Sequence, residues 1–349
     1  MLGNPLVRVG VKNKQDKLHV IILGAGVSAS CGIPVAKDIL RESMIALARV
    51  DAESAREVHR LLSYLYPDFV KKYRNYPNIE NFLNLIEMAH EFNSEGFIES
   101  SLWPRPRIKA MKEIVLDAVT NYVWGFFDGA QPPPSSSHLD IFFNRHVPAG
   151  TVIITFNWDL TVERALAQGH ATPITYQYST YHSEDRLTLL KPHDSIDWFD
   201  VNAIRKAGVA GTKSLDSKVR VVDFGNLLLS RDLIKASPII VPPVSNKEFS
   251  TFSVFQKTWA SVFRAISSAT ALTILGYSLP REDQFSRFVF RRALRNNIRR
   301  AQAGKKRRLE VTVINPDEST ESTFASLVGR DKTKFKFHRT YFQDFVDSL

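Results

Sequence analysis

The 349-residue chain contains one cysteine, Cys31. A single thiol excludes an intrachain disulfide framework and a zinc ribbon, and it fits a reducing, cytoplasmic setting. Nowhere do about 18 apolar residues follow one another, so no membrane-spanning helix is expected. The start of the chain lacks the apolar stretch of a secretory signal. Acidic side chains are in deficit: 36 Asp and Glu against 46 Lys and Arg leave a formal charge of +10. There is no internal repeat and no low-complexity tract. What is present is ordinary globular composition, 44% hydrophobic and 23% charged, with 23 phenylalanines to fill a substantial core.

The longest stretch free of both charged residues and histidine runs from Val20 to Ala36. An apolar strand expected over about 18–23 meets Gly24-Ala25-Gly26, and a helix is expected beyond. That is the layout of a dinucleotide-binding turn, in which glycine lets the backbone approach a pyrophosphate and a helix N-terminus offers N–H groups. A purely structural βα turn would look the same. The turn fits a relaxed G-x-G-x-x-G/A pattern with Ala29 in the last place. The acidic residue expected some 20 positions on finds only Glu42, within a helical pattern, so an NAD dehydrogenase fits poorly. Cys31, among small residues, reads as a buried packing residue rather than a nucleophile.

Residues 1–16 are polar and basic and read as a flexible arm, with one domain over 17–349. Helical periodicity runs from Ile39 to about Leu65, from Glu80 to His90 and from Ile108 to Phe127. No strand pattern interrupts it, so a helical insertion of about 40–135 is expected. It closes on the hinge Pro132-Pro133-Pro134-Ser135-Ser136-Ser137. Buried-type strands then follow at Thr151–Phe156, Leu187–Lys191, Ile239–Val241, Leu272–Leu275 and Leu309–Ile314. Helices are expected near 158–168, 253–268 and 283–302. Strands apolar on both faces and alternating with helices predict an α/β fold: a doubly wound, Rossmann-like parallel sheet with a helical insertion and no zinc ribbon.

In such sheets ligands bind beyond the carboxyl ends of the strands, and all six apolar runs end in small, polar or titratable residues. They end in Gly24-Ala25-Gly26-Val27-Ser28, Phe156-Asn157-Trp158-Asp159, Lys191-Pro192-His193-Asp194-Ser195, Pro242-Pro243, Gly276-Tyr277-Ser278 and Asn315-Pro316-Asp317. Asn157 and Asp159 could serve only as helix caps, and His193 could be a satisfied structural residue. On one sheet, however, the six endings converge on one cleft. There an imidazole beside an acid is a natural general base, with Asp194 or Asp197 as the expected orienting group. Ten basic residues lie between Arg287 and Arg308. They read either as a solvated helix face with a basic loop or as a surface for an acidic partner. No zinc-finger, helix-turn-helix or aromatic-basic signature accompanies them, so nucleic acid enters only as weak or partner-mediated binding.

Taken together, these motifs resemble the sirtuin family, and within it the bacterial sirtuin-like NAD+ hydrolases of anti-phage defence. The resemblance is carried by Gly24-Ala25-Gly26-Val27-Ser28, Gly32-Ile33-Pro34, Thr155-Phe156-Asn157-Trp158-Asp159 and Lys191-Pro192-His193-Asp194-Ser195-Ile196-Asp197-Trp198. It continues through Gly276-Tyr277-Ser278-Leu279-Pro280 and Ile314-Asn315. Asn78-Ile79-Glu80-Asn81-Phe82-Leu83 is similar to a helix start of the defence subgroup. The motifs span about 18–320 in family order.

The resemblance implies NAD+ as substrate and no metal. It implies that Gly24, Ala25, Gly26 and Ser28 hold the pyrophosphate. Asn157 and Asp159 would address the nicotinamide ribose, and His193 would be the general base. Gly276 and Ser278 would contact the adenosine side and Asn315 the adenine ribose. It further implies a homo-oligomer with a separately encoded ATPase or short argonaute-like partner, and no membrane. Sirtuin deacylases usually carry Asp-Phe-Arg after Gly-Ile-Pro, where this chain has Val35-Ala36-Lys37. Their four zinc cysteines are absent, and the glycine that usually follows the histidine is Asp194. The expected activity is therefore NAD+ hydrolysis. An NAD-dependent protein deacylase and a non-catalytic NAD- or ADP-ribose-sensing subunit are the alternatives.

Overall fold

The computed structural model describes residues 18–70, 75–128, 137–169, 174–176, 186–222, 238–239, 253–281, 283–304 and 307–349. The expected arm 1–16, the hinge up to Ser136, the run from residue 240 through Pro242-Pro243, and Lys305-Lys306 lie outside the described residues.

The frame is a seven-stranded sheet in the order β10-β9-β8-β1-β2-β4-β3. Its strands are β1 (His19–Leu23), β2 (Val152–Thr155), β3 (Ile174–Tyr176), β4 (Leu187–Leu190), β8 (Ala271–Leu275), β9 (Glu310–Ile314) and β10 (Lys334–His338). Every pairing is parallel. β1 is central because Val20 to Leu23 are apolar on both faces and fully buried, which suits only a strand covered on both sides. The chain leaves β1 towards β2, β4 and β3, then returns to β8, β9 and β10 on the other side. The strand order therefore reverses between β1 and β8, the place where such sheets open a crevice. β10 is an edge strand whose exposed lysines, Lys334 and Lys336, guard the open edge.

Helices cover both faces. On one, α9 (Ser253–Ser268), α10 (Gln284–Gln302) and α11 (Glu318–Val328) pack Trp259, Ile266, Phe290, Leu294 and Phe324 onto Val20, Ile22 and Ile274. On the other, α6 (Ser137–His146), α7 (Thr161–Gly169) and α12 (Phe342–Asp347) pack Phe143, Leu166 and Phe342 onto Ile21, Leu23 and Ile153. α1 (Ala25–Ser30) follows the first turn directly. The doubly wound parallel sheet is thus as the sequence indicates.

The insertion is helical throughout its described part: α2 (Ala36–Val50), α3 (Ala52–Leu65), α4 (Ile79–Glu91) and α5 (Arg105–Asp128). The single periodic run 39–65 is broken at Asp51, whose carboxylate accepts from the Glu53 and Ser54 N–H groups and caps α3. Leu40, Met44, Leu61, Phe82, Ile86 and Val119 give the insertion its own core. That core continues into Ile196, Phe199 and Val222. Phe199 and Val222 belong to a small antiparallel sheet, order β5-β7-β6, built from β5 (Trp198–Asp200), β6 (Thr212–Ser214) and β7 (Val219–Val222). α8 (Val201–Ala207) links its strands. The periodicity of the sequence did not announce this sheet, because strands of three or four residues carry almost no alternation to read.

Candidate active site

The glycine turn is first of all a backbone joint. The Gly24 and Gly26 N–H groups donate to the Leu275 and Gly276 carbonyls at 3.0 and 2.9 Å. A Cβ on Gly24 would lie 2.5 Å from the Tyr277 Cα, and one on Gly276 would lie 2.7 Å from the Val27 nitrogen. Gly276 also sits at a φ of 59°. The ends of β1 and β8 can touch only where neither bears a side chain. These glycines pin the switch point, and what they leave facing the crevice is Ala25 and Ser28.

Next to them, β2 delivers Asn157 and Asp159. Asn157 Nδ2 donates to the Gly24 carbonyl at 3.0 Å and to Ser28 Oγ at 2.7 Å, and Ser28 Oγ donates to Asp159 Oδ2 at 2.6 Å. The other Asp159 oxygen accepts from the Thr161 N–H at 2.9 Å, so it also caps α7. Capping and site geometry are therefore one arrangement. With both amide protons engaged, the orientation of the Asn157 side chain is set, and no described residue hydrogen-bonds its Oδ1. That oxygen is an acceptor held in place.

The loop is locked from beneath by Lys191, which has no exposed surface. Its ammonium donates to the Asp159 carbonyl at 2.6 Å and to Glu163 Oε1 at 2.8 Å. Asp197 is buried in the same group, and burial, reinforced by the charge of Glu163 and opposed by Lys191, pushes its carboxyl up to about 7 from an ordinary 3.8. The folded state therefore keeps a proton that the unfolded chain releases near 3.8. The stability this contributes is complete below that value and is lost as pH rises through 7. In thermal melts from pH 4 to 8, Asp197→Asn is expected to flatten this decline, because an amide imitates the protonated carboxyl. Parallel profiles for the two proteins would contradict it.

His193 lies three residues past β4, in a turn. Its Nε2 lies 2.9 Å from Asp283 Oδ2, which corrects the expected orienting group. Asp283 caps α10, accepting the Ser286 N–H at 3.0 Å and the Ser286 hydroxyl. A carboxylate on Nε2 keeps the proton there and makes Nδ1 the basic nitrogen. Phe156 meets the imidazole edge-on at 5.0 Å and stacks on Tyr277 at 4.2 Å, so three strand ends share one aromatic packing. The backbone of Asp194 is left-handed, with a φ of 72°. Glycine is unstrained there and Asp is among the better-tolerated alternatives, so the departure from His-Gly preserves the backbone path.

Ala25, Ser28, Asn157, Asp159 and His193 line one cleft. Its far wall is the insertion: Ala36 and Ile39 of α2, Ile79 and Glu80 of α4, and Val123 of α5. Glu80 belongs to a motif that the sequence shows, but its place in the lining of the same cleft as His193 does not follow from spacing. Trp158 also lines the cleft, and its buried indole N–H has no acceptor among the described residues. Gly24 and Gly26 stand behind this lining. Gly276, the exposed Ser278 and Asn315 lie at the ends of β8 and β9 and do not line this cleft. Asn315 instead accepts the Asp317 N–H at 2.9 Å. Cys31 is buried, and burial pushes its thiol up to about 11, which suits a packing residue and not a nucleophile. Among the described residues no cluster could hold a metal ion, and no helix is long and apolar enough to cross a membrane.

No family model and no curated protein matches the chain. Among solved structures it is similar to a Sir2 in complex with the inhibitor EX-527, 2'-O-acetyl-ADP-ribose and deacetylated p53 peptide. That match has 13% identity over 95% of this chain and 92% of that one, with a TM-score of 0.37. A Sir2 bound to acetylated peptide gives 12% identity, the same two coverages and a TM-score of 0.35. Likeness at this level decides nothing about chemistry, which rests on the side chains of the cleft.

Proposed function

We propose that the cleft binds NAD+ and cleaves its nicotinamide–ribose bond with water, giving nicotinamide and ADP-ribose. One observation carries the reading: the bonded group Asn157, Ser28 and Asp159 and the Asp283-held His193 face the same crevice at a topological switch point. The placed Asn157 Oδ1 offers an acceptor to a polar ligand, which suits a nucleotide better than an apolar molecule.

The leaving group is already cationic, so the reaction needs no acid. The C1′–N1 bond breaks with its electron pair going to nicotinamide, positive charge develops on the ribose, and a water oxygen bonds to C1′. Asn157 Oδ1 orients that water or a ribose hydroxyl, and His193 takes the proton released. Asp159 and Glu80 place carboxylates around the developing positive charge. Water as the nucleophile is supported by Val35-Ala36-Lys37 where deacylases carry Asp-Phe-Arg, and by the lack of zinc cysteines. Because unrestrained turnover would drain a cell of NAD+, the proposal extends to a regulated, oligomeric effector of anti-phage defence that a separately encoded partner switches on.

Purified protein with NAD+, followed by chromatography, is expected to yield nicotinamide and ADP-ribose in equal amounts. Asn157→Ala is expected to reduce the rate by at least about 10²-fold, the scale of losing one positioned polar group. Full turnover by that variant would overturn the site. Acyl-ADP-ribose formed from an acyl-lysine peptide would replace hydrolysis by deacylation, and calorimetric binding without product would replace both by sensing.

A further inference from the structure

α10 is unusual in its charge. Its 19 residues include six arginines and no acidic residue. The inward face, Ser286, Val289, Phe290, Ala293, Leu294 and Asn297, is buried against the sheet. Outside, Arg291, Arg292, Arg295, Arg299 and Arg300 are exposed. At about 100° per residue, Arg291, Arg292, Arg295 and Arg299 share one sector of the helix with Phe288, which is 59% exposed. Elsewhere the arginines of this chain find acids: Arg41, Arg60, Arg107, Arg330 and Arg339 each pair with a carboxylate. Among the described residues none of the four in this sector has an ion pair.

This arrangement costs stability. Arg291 with Arg295, Arg292 with Arg295, and Arg295 with Arg299 are like charges one turn apart, and each such pair is unfavourable. The helix dipole offsets only the last turn, at Arg299 and Arg300. Four guanidiniums spread over about 12 Å of helix match the density of phosphates, one per about 3.4 Å along a strand. The planar guanidinium fork also suits a phosphate better than an isolated carboxylate field would require. A membrane surface fits less well, because the apolar face an amphipathic helix would insert is already buried in the core.

We infer that this face of α10 binds the phosphodiester backbone of nucleic acid, without reading sequence, and that Phe288 stacks at its end. The surface is independent of the proposed chemistry but physically joined to it: the N-cap of the same helix is Asp283, the carboxylate that holds His193. The test uses the full chain with labelled duplex DNA, single-stranded DNA and RNA of equal length, followed by polarisation from 50 to 200 mM salt. Affinity is expected to fall by roughly 10²-fold over that range for four or five phosphate contacts. The triple variant Arg291→Glu, Arg295→Glu, Arg299→Glu should bind at least tenfold more weakly, with a salt slope smaller by about three. The matching Arg→Lys variant should keep the slope, and melting curves show that both fold. Binding that ignores salt, an unchanged affinity in the charge reversal, or equal affinity for polyglutamate would each overturn the inference. The three nucleic acids together report which form of the backbone is preferred.

Discussion

Replacing His193 by Ala is expected to lower the proposed NAD+ turnover by about 10²–10⁴-fold, the contribution of a positioned general base. The fold survives this change, because Asp283 keeps its two bonds to Ser286 and continues to cap α10. What is lost is the one imidazole in the cleft that a buried carboxylate holds at 2.9 Å. Steady-state rates beside a thermal melt separate the two effects. A variant that melts as the parent and turns over at more than a tenth of its rate would remove His193 from the chemistry. Asp283→Asn sharpens the test. Its amide can still cap the helix but no longer imposes one imidazole tautomer, so the loss should appear in kcat with KM for NAD+ little changed. A purely structural role for Asp283 would instead lower stability and both constants together.

The second large effect is on stability. Lys191→Met is expected to cost about 3–5 kcal/mol, the usual penalty for removing one partner of a buried ion pair. Lys191 and Glu163 have almost no exposed side-chain surface, 0% and 7%. Methionine fills the volume of the lysine stem but leaves the Glu163 carboxylate in a dry environment without its cation. It also frees the Asp159 carbonyl that the ammonium ties down. For a chain of this length the loss corresponds to a melting point lower by roughly 4–7 °C. The double variant Lys191→Met, Glu163→Gln should recover most of it, since a neutral pair imposes no desolvation of charge. A single variant that melts within 2 °C of the parent, by the same scaling, would show that the ion pair contributes little. Recovery of stability without recovery of NAD+ turnover would show that the Asp159 loop needs the lysine for its position.

These two expectations draw on different kinds of information. That β1, β2, β4, β8 and β9 are buried parallel strands was legible from their unbroken apolar, β-branched runs, because a strand covered on both faces leaves no room for polar alternation. That Ser28, Asn157, Asp159 and His193 share one edge of the sheet was legible as well. Each follows such a strand, and the carboxyl ends of parallel strands share one edge of the sheet. The edge strand β10 escaped notice because its alternating lysines look like surface. The small sheet of β5, β6 and β7 escaped because its strands are too short to show a period.

Asp283 was not legible. It lies 90 positions from His193 in sequence, and its proximity arises only because α10 packs its first turn across the end of β4. By local spacing Asp194 and Asp197 were better candidates, yet one sits on a left-handed backbone turn and the other is drawn into the Lys191 cluster. Sequence alone determined the central strands of the sheet and the residue types that their ends offer to the crevice, because burial and periodicity are local properties of the chain. Tertiary structure alone decided which carboxylate holds the imidazole, that Glu80 and the helical insertion wall the cleft, and that the glycines first serve to join β1 to β8. Those are contacts between distant segments, set by how layers pack rather than by any pattern within one layer.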